Sequence, residues 1–217
     1  MLFRSTKVLS AKLFDVNGKT ISLNDFKGKY VVVAPFLTSC QEICPMTSAN
    51  MEQIAHAIAK SKMSSMASVV EISVDSYRDT PARLKAYQGL FNDNSWTLLG
   101  GNAKNINSFW NYFGVSIQRT PYSASDLKNL PVDWQTGQKN QFDVSHTDAI
   151  MIVSPDQKWN WLDLGTPDIG HGILPSKLKT FLDDDGIGNL NKPEQPTWSV
   201  GAVYSALSHE MGMKISG

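Results

Sequence analysis

Tyr30-Val31-Val32-Val33-Ala34-Pro35-Phe36-Leu37-Thr38-Ser39-Cys40-Gln41-Glu42-Ile43-Cys44-Pro45 is the stretch on which the fold turns. Residues 30–36 are rich in β-branched and aromatic side chains, the pattern of a buried strand. Beyond Pro45, Met51, Ile54, Ala55 and Ile58 recur at helical spacing and predict an amphipathic helix. The cysteines therefore sit at a strand-to-helix turn, where unpaired backbone N–H groups and the helix dipole favour thiolate over thiol. They are the only two in the chain, four residues apart. On one helical turn such a pair faces the same way, and it can close a disulfide or grip one soft metal ion.

Upstream, Lys12 to Leu23 alternates around Asn17-Gly18, a strong hairpin signal. Downstream, Val69-Val70-Glu71-Ile72-Ser73-Val74 predicts a second strand. Asp79-Thr80-Pro81 then opens a helix with Thr80 as cap and Leu84, Tyr87 and Phe91 as its apolar face. Trp96 to Leu99 reads as a short edge or connecting strand, and Ile106, Phe109, Trp110 and Phe113 as another helix. Residues 120–141 are rich in Pro, Ser, Asn, Asp and Gln and read as a long surface excursion. Ala149 to Val153 is a third strong strand with a partner through Trp159 to Leu162, and Leu174, Leu178, Phe181 and Leu182 mark a last helix. Periodicity is lost from Asp183, so residues 183–217 read as an irregular C-terminal extension pinned by Trp198 and Tyr204. The order predicts an α/β fold over residues 8–182, a mixed sheet flanked by helices behind an N-terminal β-hairpin. Paired cysteines opening the helix after the first core strand make the arrangement similar to thioredoxin.

At 217 residues the chain can bury one sizeable core. Its 41% hydrophobic and 18% charged content are those of a globular protein. Formal net charge is zero, and Lys and Arg are scattered, so no electrostatic footprint for nucleic acid exists. No apolar run approaches the roughly 20 residues that span a bilayer. Met1 to Lys7 lacks the apolar core of a signal peptide, which leaves two readings open: a cytosolic protein, or one whose anchor has been cut away.

The cysteines alone leave disulfide and metal site equally open, so a third partner decides. His56 falls on the solvent side of the first helix, His209 in the extension, and His171 between two glycines in a loop. His146 lies in Phe142-Asp143-Val144-Ser145-His146-Thr147-Asp148, directly before the strand at Ala149. In a thioredoxin-like sheet the loop feeding that strand abuts the cysteine helix, so Cys40, Cys44 and His146 are expected to converge. Two thiolates and an imidazole suit copper, with zinc as competitor.

These residues resemble the Sco/SenC family of copper-binding, thioredoxin-like proteins that assist cytochrome c oxidase assembly. Five motifs in order carry the likeness: Phe14-Asp15 to Gly18 with Asp25-Phe26-Lys27-Gly28-Lys29; Thr38-Ser39-Cys40 to Cys44-Pro45; Ser73-Val74-Asp75 with Arg78-Asp79-Thr80-Pro81; Trp96 with Phe113-Gly114-Val115; and His146-Thr147 before Ser154-Pro155-Asp156. The resemblance implies copper, as Cu(I) or Cu(II), on Cys40, Cys44 and His146. It also implies an extracytoplasmic position (periplasm or mitochondrial intermembrane space) on a membrane tether, expected to fall outside this sequence. The implied partners are an upstream copper donor and a client, either the copper-A-bearing oxidase subunit or another copper or thiol protein. Ser145 stands where the family usually has Asp, and Gln41-Glu42 where Pro-Asp is common. Asp143 or Asp148 is the substitute carboxylate expected to orient the imidazole. Asp75 and Arg78 read as structural. The leading expectation is a copper metallochaperone and thiol-redox assembly factor. The alternative is a thiol–disulfide oxidoreductase in which Cys40 attacks and Cys44 resolves, with a thiol peroxidase a weaker third.

Overall fold

Gly18 adopts φ +78°, and the left-handed turn it permits joins β1 (Leu13–Asp15) to β2 (Thr20–Ile21), with Leu13 opposite Ile21. The computed structural model of the chain describes residues 9–91, 95–123, 130–170 and 172–215. The chain continues through β3 (Tyr30–Phe36), α1 (Cys44–Lys60), β4 (Ala67–Ser73), α2 (Pro81–Gln88), β5 (Thr97–Gly100) and α3 (Ala103–Tyr112). Then come β6 (Ile117–Pro121), β7 (Phe142–His146), β8 (Ala149–Val153), β9 (Trp159–Leu164) and β10 (Thr166–Asp168). The last elements are α4 (Ser176–Lys179), α5 (Asp184–Asn191), β11 (Thr197–Ser199) and α6 (Val200–Met211).

Seven strands form the main sheet in the order β2-β1-β5-β4-β3-β8-β9. Parallel pairs β3–β4 and β4–β5 lie at its centre, and β3–β8 and β8–β9 run antiparallel. Continuous apolar runs fit this: Val31 to Phe36 and Ala149 to Val153 are buried along their whole length. The expected mixed sheet with an N-terminal hairpin is what forms.

Four readings change. The strand at Trp96–Leu99 is no edge, because β5 sits between β4 and β1. Gly100 allows it: a Cβ there would stand 2.5 Å from the Phe14 ring lying across it. The excursion begins and ends as a two-stranded ribbon, β6 against β7, with Ile117 opposite His146 and Pro121 opposite Phe142. Its polar first strand, Gln118-Arg119-Thr120, carries no hydrophobic alternation to read. The last helix of the body is a single turn, α4, anchored by buried Leu178.

The extension is ordered rather than irregular. Gly186, Gly188, Asn189 and Asn191 are poor helix formers, but the Asp183 side chain caps α5 by accepting from Gly186 N at 2.8 Å. Strand β11 pairs in parallel with β10, burying Trp198. Helix α6 packs on α1, its Val203 and Leu207 are buried, and Tyr204 donates to the Gln53 carbonyl at 3.2 Å. His209 accordingly lies in the last turn of α6.

Candidate metal centre

Strand β3 delivers Leu37, Thr38 and Ser39 into the interior, all buried, before the chain surfaces at Cys40. Pro45 sits in the first turn of α1, where its missing N–H costs no helical bond. The amide of Cys44 points at the Cys40 Sγ, 3.5 Å away. Cys40 is partly exposed, Cys44 fully buried, and both are free thiols. Their acidities part company. The Cys44 side chain, then the amides of Cys44, Glu42 and Ile43, hold Cys40 below the usual thiol range against its burial. Burial, reinforced by the neighbouring Cys40 sulfur, drives Cys44 well above it. The accessible thiol is therefore the more acidic of the two.

His146 is the last residue of β7 rather than part of a loop. Thr147 locks it in place: its amide donates to the Ser116 carbonyl at 3.1 Å and its Oγ1 accepts from the Ser116 amide at 3.1 Å. The Nε2 atom stands 3.5 Å from the Cys44 Sγ. Nδ1 lies 3.1 Å from the Thr147 carbonyl, which can accept only if the ring proton is there, so the Nε2 lone pair faces the cysteine. Burial lowers the pKa of the imidazole and favours its neutral form. The two sequence-predicted carboxylates separate. Asp148 Oδ1 stands 3.6 Å from Nδ1, and burial followed by the charge of Glu42 pushes its carboxyl up to about 7. Asp143 is exposed and acts on the ring through longer-range charge. Ser145 is exposed. His171 lies outside the described residues.

Thus Cys44 meets both Cys40 and His146. Among the described residues no three His, Cys, Asp or Glu side chains stand in ready-made ligating geometry. A cavity of about 350 Å³ opens beside them, lined by Cys40, Glu42, Arg78, Asp143, His146 and Asp183 among others.

The supporting groups were harder to foresee. Every polar group of Thr38 is engaged: its amide donates to Asp79 at 3.2 Å, its hydroxyl donates to Asp79 and accepts from Arg83 Nε, both at 2.5 Å, and its carbonyl accepts from Trp134 Nε1 at 2.7 Å. Arg83 Nη2 reaches Asp133 at 2.5 Å. Against the burial that raises it, that bond and the Thr136 amide bring Asp133 down to about 2. The excursion is thus tied to the strand end two residues before Cys40. Arg78 pairs with Asp75, not Asp79, and donates to the Phe142 carbonyl at 3.1 Å, fastening β7. Nothing in the apolar periodicity of α2 marks Arg83; only Pro81-x-Arg83 behind the Thr80 cap places it one turn in.

The profile of the SCO1/SenC family matches residues 6–162. The chain belongs to that family. A Stutzerimonas stutzeri protein whose name proposes copper binding is 25% identical over 156 residues, 72% of this chain and 68% of that one. An SCO2-like protein of Rickettsia conorii is 32% identical over 122 residues, 56% of this chain and 58% of its own length. Among solved structures, Bradyrhizobium japonicum ScoI with copper bound superposes with a TM-score of 0.58 at 22% identity, covering 79% of this chain and 96% of that one. At that identity the likeness speaks for the thioredoxin-like fold alone. No helix among the described residues is long and apolar enough to cross a membrane.

Proposed function

We propose that this SCO1/SenC protein is a copper metallochaperone that binds one ion through Cys40, Cys44 and His146. The observation that carries the reading is the 3.5 Å approach of His146 Nε2, its lone pair forward, to the Cys44 Sγ at the mouth of α1. Soft thiolate and imidazole donors in a low-coordinate set suit Cu(I), while Cu(II) would recruit a further oxygen donor. Copper here is cargo, and exposure sets the order of its release. Cys40 is the more accessible and the more acidic thiol, so an incoming client thiolate displaces it first, and buried Cys44 and His146 let go last. Binding requires Cys44 to lose its proton, so affinity falls as pH drops. Oxidation of the pair to a disulfide removes two ligands together and couples redox state to release. Family likeness extends the proposal to an extracytoplasmic setting, an upstream copper donor and the copper A subunit of cytochrome c oxidase as client.

A thiol–disulfide oxidoreductase is the second reading, favoured by the lowered pKa of Cys40 beside a buried partner thiol. Anaerobic Cu(I) titration against a competing chelator separates the two. The reduced protein should hold one equivalent, and His146→Ala should weaken it about 10- to 100-fold. Binding indifferent to His146 sinks the copper reading and leaves the cysteines as a redox pair.

A further inference from the structure

Residues beyond 162 lie outside the span of the family profile, yet the segment from Phe181 onward rests on the loop between the cysteines. Gln41 is held from both sides: its Nε2 donates to the Phe181 carbonyl at 2.7 Å, and its carbonyl accepts from the Asp183 amide at 3.2 Å. Helix α5 then approaches that backbone closely at Gly186. A Cβ on Gly186 would stand 2.1 Å from the Gln41 oxygen and 3.1 Å from the Glu42 oxygen. Both obstacles are main chain, so no rotamer change relieves them. Two residues on, Gly188 of the same helix has nothing within 4 Å. The glycine at 186 is therefore a close-approach glycine and the one at 188 is not.

We propose that α5 is a positioning element of the metal centre. Through Gly186 and Gln41 it holds the 41–42 backbone, and with it the separation of Cys40 and Cys44, in the dithiol geometry that receives the ion. The inference deepens the copper reading and rests on it. It also confers a redox consequence that copper does not enter: a loop held in dithiol geometry resists closing a disulfide.

The test compares Gly186→Ala with Gly188→Ala, the same chemical change one turn face apart. Cu(I) affinity by chelator competition should fall about tenfold or more in Gly186→Ala and stay at the parent value in Gly188→Ala. The midpoint potential of the cysteine couple, equilibrated against dithiothreitol, should become more negative by about 30 mV, a tenfold shift for two electrons, in the first variant alone. Should Gly186→Ala fail to fold, Gln41→Ala, which deletes only the Phe181 bond, is judged by the same two readouts. Equal behaviour of the 186 and 188 variants, or a shift in the opposite direction, overturns the clamp. If the parent holds no Cu(I), the copper reading falls, and the clamp stands or falls on the potential.

Discussion

Two buried carboxyl groups near the cysteines are handled in opposite ways. Asp79 is drawn into an ionic network: it accepts from the Thr38 amide and hydroxyl and from Ser73 Oγ at 2.5 Å, with Arg83 Nε at 3.5 Å. Glu71, in the middle of β4, accepts from Ser48 Oγ at 2.9 Å and Trp96 Nε1 at 2.8 Å, and Ser48 in turn meets Tyr87 OH at 3.1 Å. Among the described residues no Lys or Arg is bonded to it. Burial, then the charge of Asp75, raises Asp79 to about 6, whereas burial takes Glu71 to about 8. The difference teaches what each network is for. Arg83 ties a loop to the strand end before Cys40, which needs a fixed charge; Glu71 fills a core position as a neutral acid, for which hydroxyl and indole donors suffice.

The sharpest way to break that contrast is Arg83→Met, which strands Asp79 and Asp133 together. It should cost about 3–5 kcal/mol in urea unfolding, and a loss under about 1 kcal/mol would show the network to be decoration. Next is Trp96→Phe, which removes one of the two donors of Glu71. About 1–3 kcal/mol should go, largest at high pH where the carboxylate needs the bond. Smallest at neutral pH is Glu71→Gln, within about 1 kcal/mol of the parent at pH 6. Its signature lies in the slope. The folded-state value of Glu71 exceeds the unfolded value of about 4.3, so the folded chain holds a proton that the unfolded chain releases. Stability therefore falls as pH rises from about 4 to 8. Asp148 and Asp79 add to the same trend up to about 7 and 6. His146 works the other way, losing stability as pH falls below its unfolded value of about 6.5. Melting temperatures from pH 6 to 9 should decline less steeply in Glu71→Gln, and parallel curves would refute a neutral Glu71.

What could be read from the chain follows what periodicity encodes. Tyr30–Phe36, Ala149–Val153 and the Thr80 cap declare themselves because burial and capping select residue types at fixed spacing. The approach of His146 to Cys44 was legible because the topology of a cysteine-bearing first helix limits where a late histidine can fall. Other parts were silent for physical reasons. Ribbon β6–β7 carries polar Gln118, Arg119 and Thr120 along its first strand, and their backbone bonds leave no trace in side-chain type. Trp134 and Asp133 lie in a segment whose composition says loop, and only the distant Arg83 and Thr38 give them a role. Choosing between Asp143 and Asp148 required knowing that β7 ends at His146 and turns Asp148 back towards Nδ1. The extension, with four glycines and asparagines in eight residues of α5, hid a helix made by docking rather than by propensity.

The contact of α6 with α1 has a consequence for how the protein is made. The cysteine-bearing helix is synthesised well before α6, which packs on it and carries buried Val203 and Leu207. A nascent chain stalled before α6 would therefore display an unsealed flank of that helix to chaperones.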